Sequence, residues 1–350
     1  VAPAIGDIGR GAGKLLALWE AGPPHEIDPD SLDTVGPYRF GDGLRWLGAF
    51  SAHPKFDPQT GEMYNFGIAV TPKPILQCYR VAPTGSLSRL AAVPLPGPLF
   101  NHDVALTKRH MVFVLDPMMV NLTDAALSGL GLKHYIDAIR FEPSRGTTIA
   151  LVPRDGGKPT ITHTDALMHF HVNNAYDEGT DTVVELVAWN ATWEQINAQL
   201  QGMQGGLSDD SLSYGGHLVR LRITAGGKVI REQASHLQGE FPQFNQAMAC
   251  RRHRYSYLAV GADGALYPNA VGKFDHERNS EVLHRLPDGH SAHEPLFVAR
   301  PGADAEDDGW LLALTQNPHD GRARLLVLDA RAPQRDPLFT ATLRHPMPPT

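Results

Sequence analysis

Short stretches in which apolar residues alternate with polar ones recur along the whole 350-residue chain, and this period of two is the strongest constraint on what it can fold into. Leu218-Val-Arg-Leu-Arg-Ile223 shows it most cleanly. Side chains of an extended segment point alternately to opposite faces, so such a run offers one face to a core and one to water. Comparable strand-like runs are LLALWE (15–20), EMYNFGIAV (62–70), HMVFVLD (110–116), TVVELVAW (182–189), YSYLAVG (255–261), LFVAR (296–300), GWLLALTQN (309–317) and RLLVLDA (324–330). Between them stand Asp57-Pro-Gln-Thr-Gly61, Thr224-Ala-Gly-Gly227, Gly261-Ala-Asp-Gly264 and Glu306-Asp-Asp-Gly309, whose glycines are expected to supply the positive φ of tight hairpins. Many short antiparallel strands with no linker-like interruption predict a single all-β domain over 1–350, a propeller or large barrel rather than several sandwiches. No tidy internal repeat sets a blade count.

One segment departs from the pattern. Leu122-Thr-Asp-Ala-Ala-Leu-Ser-Gly-Leu-Gly-Leu-Lys-His-Tyr-Ile136 reads as helical and apolar. It is expected to be a helical insertion capping one end of the sheets, the competing reading being a lid or a shallow membrane-contact surface. The formal charge of −7, with no basic patch, argues against a nucleic-acid partner. Cys78 and Cys250 stand far apart, which predicts neither a disulfide framework nor a thiolate zinc site and fits a reduced, cytoplasmic setting. No apolar run reaches the ~18 residues of a membrane-spanning helix, and VAPAIGDIGR has the pattern of neither a signal peptide nor a natural start.

Seventeen histidines are present. His25, His253, His276, His284, His290 and His319 lie in polar or loop-like sequence and are expected to be solvated. Three others sit beside strands among small or apolar neighbours, in Ser51-Ala-His53-Pro-Lys55, Phe100-Asn-His102-Asp-Val-Ala-Leu-Thr107 and Phe170-His171-Val-Asn-Asn-Ala-Tyr176. Any one of them alone is more often a satisfied core or turn histidine than a ligand. Together they suggest a metal, because imidazole suits Fe, Zn, Cu and Ni. Residues this far apart would have to converge from different strands, as the inner strands of a propeller do around its axis. In the third segment His169 and His171, at i and i+2, share a face of any extended strand, so periodicity does not say which of them matters.

SAHPKFDPQTGEMYNFG, NHDVALTKRHMVFVLDP, FHVNNAYDEGTDTVVELVAW, GEFPQFN and EPLFVARPGADAEDDGWLLAL, in that order, resemble the successive signature segments of the carotenoid cleavage oxygenases, a group that includes bacterial apocarotenoid- and lignostilbene-cleaving enzymes. The resemblance runs from about residue 14 to the C-terminus. It implies a seven-bladed β-propeller, with a helical or loop cap over one face, and a non-haem Fe(II) held on the axis by four histidines. By resemblance, His53, His102 and His171 are three of the ligands and His169 is a neighbour that is structural or lines the site. The resemblance also implies glutamates that orient the ligands, here Glu20, Glu240 and Glu294, with Glu20 paired to His102 and Glu240 to His171. A carboxylate accepting the far ring N–H fixes the imidazole tautomer and offsets the charge of the metal.

The family pattern is incomplete at both ends. Glu294 would serve a fourth histidine, which in the family sits in a Gly-Phe-His-Gly motif after a segment like LRHPMPP, whereas this sequence stops at Thr350; His345 is not promoted to that role. A family segment is also missing ahead of Val1. The sequence is therefore expected to be an internal fragment, or a truncated product, of a longer enzyme. The implied reaction adds O₂ across one conjugated C=C bond to give two carbonyl products, with no NAD, flavin or haem. Family members that act on phenolic stilbenes generally carry Lys directly before the glutamate at the position of Glu20, and Trp19 stands there instead. An apolar aromatic favours a carotenoid or apocarotenoid over a phenol, with contact to a membrane surface as an accessory expectation. The competing readings are lignostilbene-type cleavage, a non-catalytic propeller and a zinc or calcium hydrolase.

Overall fold

The computed structural model describes residues 6–11, 14–20, 22–41, 43–44, 48–68, 71, 73–197, 214–317, 321–345 and 347, and the statements below concern these. The last two residues of the run at 62–70 and His319 lie outside them. The chain divides into two compact units, Val1–Phe170 with Thr224–Val229 and His171–Ile223 with Ile230–Thr350.

The first unit contains three four-stranded antiparallel sheets. Strands Gly6–Gly11, Lys14–Leu18, His25–Ile27 and Thr34–Pro37 form one, and Lys55–Phe56, Met63–Ile68, Ile75–Val81 and Leu87–Pro94 the next. Ala105–Leu106, His110–Leu115, Thr147–Pro153 and Thr160–Thr164 form the third. In each the strands hydrogen-bond in chain order, the up-and-down pattern from which propeller blades are built. Leu16, Leu18, Phe50, Met63, Tyr79 and Val81 pack into one core drawn from the first two sheets. Burying a large apolar side chain stabilises by roughly 1.5–3 kcal/mol, so a core of this size is ample reason for the meanders to associate.

The helical insertion falls inside the third sheet, between His110–Leu115 and Thr147–Pro153. A hairpin of Met118–Val120 and Ile139–Phe141 brackets it. The α-helix covers Leu122–Gly129, shorter than the expected 122–136. Asn121 caps its N-terminus, accepting from the Thr123 and Asp124 N–H groups at 3.0 Å. It stops where the chain reaches Gly131 at φ 74°, and a separate 3₁₀ turn follows at Tyr135–Ala138. No residue of the α-helix is buried, and Leu130 and Leu132 are exposed.

In the second unit, His169–Glu178, Asp181–Ala188, Gly216–Ile223, Val229–Gln243, Tyr255–Val260, Ala270–Asp275 and Ser280–Arg285 form one seven-stranded sheet in chain order, of which His169, Phe170 and Val229 belong to the first unit. The 15-residue strand Val229–Gln243 has three strands on either side of it, so it closes one meander and opens another. Ser291–Ala299, Gly309–Asn317, Arg322–Asp329 and Phe339–Thr342 form a further antiparallel sheet. Val187, Leu218, Leu237, Leu258 and Phe274 make one core of this unit and Tyr257, Val271, Phe297, Leu311 and Leu328 another. In Gly216–Ile223 the alternation reads as expected over its second half, with Val219, Leu221 and Ile223 buried and Arg220 and Arg222 partly exposed; Leu218, on the face of the arginines, is buried as well.

Of the glycines that end the four turns, Gly61, Gly227 and Gly264 have positive φ (69°, 81° and 75°). Gly309 does not. It opens a strand whose partner comes so close that an added Cβ would stand 2.5 Å from the Val298 carbonyl oxygen, so glycine is needed there for space. Among the described residues no helix is long and apolar enough to cross a membrane.

Candidate metal centre

His53 and His102 occupy equivalent places in consecutive sheets, each just ahead of its first strand, Lys55–Phe56 and Ala105–Leu106. Two links stitch these segments together. The Ser51 hydroxyl donates to the His102 carbonyl at 3.3 Å and accepts from the His53 N–H at 3.2 Å. The Lys55 ammonium lies 2.8 Å from the buried Asp103 carboxylate. The outcome is that His53 Nε2 stands 2.7 Å from His102 Nε2, with ring centroids 4.3 Å apart. Glu20 Oε1 lies 2.8 Å from His102 Nδ1. With the proton of that ring on Nδ1, its Nε2 carries a lone pair. Two imidazole nitrogens bound in cis to one ion sit roughly 3 Å apart, given metal–nitrogen distances of about 2.1 Å, so the pair suits a transition metal.

Glu20 follows strand Lys14–Leu18 and Trp19, which bridges to Phe50. Gly22 leaves room for the Trp19 indole, because a Cβ there would lie 2.6 Å from its Nε1. Phe100 stacks on the His102 ring at 6.0 Å, and Phe170, the residue before His171, meets it edge-on at 6.2 Å. These rings make an apolar surround for a polar centre.

In the second unit His171 Nδ1 is 2.8 Å from Glu240 Oε2. Glu240 is buried where the register slips, with Glu240 opposite Ala259 but Gln243 opposite Tyr257. Gly239 allows the close pairing just before the slip, since a Cβ there would lie 2.5 Å from the Ala259 carbonyl oxygen. Phe241 takes φ 55° and sets its ring 4.9 Å from that of His171. Trp189, at the end of TVVELVAW, donates its indole N–H to Glu240 Oε1 at 2.7 Å. Sequence reasoning missed this residue, although a tryptophan in an apolar strand signals a donor in search of a partner. Glu294 is exposed and accepts from the Gln243 side chain at 2.5 Å.

His169 also has a carboxylate partner, Asp116, whose Oδ2 lies 2.6 Å from Nδ1 and accepts the His169 backbone N–H at 2.7 Å. Thr147 donates to the other Asp116 oxygen at 3.1 Å. An acid at Nδ1 therefore does not by itself single out a ligand. What separates the two histidines is access: His169 is only 6% exposed, whereas His171 is half-buried.

His253 and His276, expected to be solvated, are instead packed into the second unit. Together with Glu185 they bring donor atoms within 4.8 Å of one another. Those atoms are already engaged. Arg220 binds Glu185 Oε1 through two nitrogens at 2.9 and 2.7 Å and reaches His276 Nδ1 at 3.1 Å, while the Ser256 hydroxyl lies between the two rings at 3.0 and 2.8 Å. Burial pushes His253 down to about 4 and His276 below its ordinary value, so both rings are neutral near neutral pH. Burial works to raise the Glu185 carboxyl, yet His276, His253 and the Arg220 guanidinium hold it below its ordinary value. A guanidinium in the middle of the donor set repels a second cation, and the cluster is an ion pair lined with neutral polar groups.

A family model described as retinal pigment epithelial membrane protein matches residues 6–350. The apocarotenoid-15,15'-oxygenase of Synechocystis sp. is 32% identical over 345 residues, covering 96% of this chain and 69% of the relative. An isoeugenol monooxygenase of Pseudomonas putida is 30% identical over 348 residues, covering 95% and 70%. The carotenoid 9,10(9',10')-cleavage dioxygenase 1 of Arabidopsis thaliana is 26% identical over 356 residues, covering 96% and 63%. The crystal structure of cobalt-substituted Synechocystis ACO matches with a TM-score of 0.87 at 30% identity, over 97% of this chain and 72% of that one.

Proposed function

Since the chain belongs to the carotenoid oxygenase family, whose model carries the description retinal pigment epithelial membrane protein, we propose that it is an Fe(II)-dependent dioxygenase that cleaves one conjugated C=C bond of an apocarotenoid or carotenoid, built as one seven-bladed β-propeller. His53, His102 and His171 hold the metal. The observation that carries this reading is the His53–His102 pair, two Nε2 atoms 2.7 Å apart with Glu20 on the far nitrogen of His102. The donor set fits: neutral imidazoles suit a divalent transition metal, whereas calcium and magnesium seek oxygen ligands. When bound, the iron supplies the redox centre that lets O₂ react with a closed-shell alkene.

The protein's own residues do the rest. Glu20 and Glu240 accept hydrogen bonds from the Nδ1–H groups of His102 and His171, which puts the lone pair of each ring on Nε2. Phe100, Phe170 and Phe241 surround the histidine rings with apolar surface that excludes water. Trp19 beside Glu20 offers an aromatic face to a polyene. The electrons come from the alkene itself: its double bond breaks, each carbon takes one oxygen atom of O₂, and two carbonyl products leave without an external reductant. The protein works in the cytoplasm, and exposed Leu130 and Leu132 beside the capping helix touch the membrane surface that carries an apolar substrate.

The identity to an isoeugenol monooxygenase supports a second reading, a phenolic alkene as substrate. Incubating the full-length protein first without and then with O₂, against polyenes, stilbenes and isoeugenol, separates the two. Polyene bleaching only in O₂, with two carbonyl products that each carry one labelled oxygen, is expected. Selective turnover of the phenols moves the substrate to the second reading. His171→Ala is expected to lose stoichiometric iron; a variant with the iron content of the parent contradicts the ligand assignment.

A further inference from the structure

Glu240 has more donors than a histidine partner requires. Oε1 accepts the Trp189 indole N–H at 2.7 Å, and Oε2 accepts the Phe241 backbone N–H at 2.7 Å while facing His171 Nδ1 at 2.8 Å. Both fixed donors are themselves held. Trp189 follows strand Asp181–Ala188 and meets the buried ring of Tyr214 edge-on at 6.3 Å. The Phe241 N–H donates to Oε2 and the residue takes φ 55°, a conformation a bulky side chain adopts only when its surroundings impose it. The strand slips register here, so normal ladder pairing is given up where the carboxylate is gripped.

We propose that Trp189 and the Phe241 peptide form a clamp that presets the Glu240 carboxylate, and through it the Nδ1–H tautomer of His171, before any metal arrives. A carboxylate held by a histidine alone can turn about its last torsion and offer either oxygen at varying angles. Here both oxygens already accept from fixed donors, so the carboxylate cannot turn, and Oε2 is held facing His171 Nδ1 at 2.8 Å as the acceptor for an N–H there. Trp189 is thus a positioning residue, two steps removed from the metal, whose effect is to lower the reorganisation needed for binding. The inference rests on His171 being a ligand.

The test uses the full-length protein with Co(II) as a spectroscopic probe. Trp189→Phe keeps a ring against Tyr214 and removes the N–H. It is expected to weaken Co(II) binding on the order of ten-fold, to alter the visible Co(II) band, and to turn a single His171 tautomer in the metal-free protein into a mixture, read by NMR of nitrogen-labelled histidine. Because Trp189 acts through Glu240, adding Trp189→Phe to Glu240→Gln should cost no further affinity. Should Trp189→Phe fail to fold, a benzothienyl-alanine placed at 189, with sulfur in place of the N–H in the same ring shape, repeats the measurement. An unchanged Co(II) affinity and tautomer in the 189 variant, with Glu240→Gln impaired, overturns the clamp and leaves the metal reading standing; full additivity in the double variant also overturns it. Unchanged affinity in Glu240→Gln and His171→Ala as well brings down both.

Discussion

Asp275 shows how a single carboxylate sets behaviour in acid. Arg254 grips both of its oxygens at 3.0 and 2.8 Å, and the backbone N–H groups of Glu277 and Arg278 add two more bonds. The hydrogen bonds from Arg254 lower its pKa from the ordinary 3.8 to about 2 against the opposing effect of burial. A folded-state pKa below the unfolded one contributes stability that is complete above 3.8 and is lost as pH falls towards about 2. Asp275→Asn is therefore expected to flatten the acid limb of urea-unfolding stability across that window; an unchanged limb would assign the acid sensitivity to other carboxylates. Residue-level reading of the sequence failed where segments distant along the chain set a side chain's surroundings. His253 lies in Arg-Arg-His-Arg, which looks solvated, yet Asn173 and Asn174 reach its ring from a distant strand of the second unit, and Ser256 closes on it from three residues further on.

Among elements, the pairing of Asp181–Ala188 with Gly216–Ile223 joins a core to a charge. The register sets Glu185 opposite Arg220, so the one charged residue inside a strand that is otherwise apolar after Thr182 meets a partner and is satisfied by it. Glu185 is 1% exposed. Arg220→Met would strand that carboxylate and is expected to lower the unfolding free energy by about 3–5 kcal/mol, measured by urea titration, with much of the loss recovered by adding Glu185→Leu. If the single variant is as stable as the parent, the pair has no structural role. The strands themselves were legible because each is a short run of strand-forming residues bounded by turn formers, several with a period of two and others, such as Asp181–Ala188, buried almost throughout. Their ends were less so: the helix at Leu122–Gly129 ends earlier than apolar content suggested, since a left-handed Gly131 interrupts a run that periodicity alone would extend. At Gly309 a glycine read as a turn former proved to be a spacer, because closeness to Val298 is a property of strand pairing and not of local sequence.

For the whole molecule, the proposed ligands lie at residues 53, 102 and 171, so a metal that binds the native chain and not the unfolded one favours the folded state. Metal at a hundred-fold excess over its Kd should stabilise by about 2.7 kcal/mol, seen as a higher melting temperature that a chelator reverses and His171→Ala abolishes. A melting temperature indifferent to metal would count against the centre. The sequence on its own determined the all-β class, the run of strands, and, through five ordered motifs, the family and the histidines to watch, because periodicity and motif order are local and survive without coordinates. Only the tertiary structure decided that His53 and His102 face each other across 2.7 Å, that His253 and His276 are buried around an ion pair, and that Trp189 holds Glu240. Those relations depend on register and on how neighbouring strands pack, free-energy terms summed over many residues that no short stretch of chain contains.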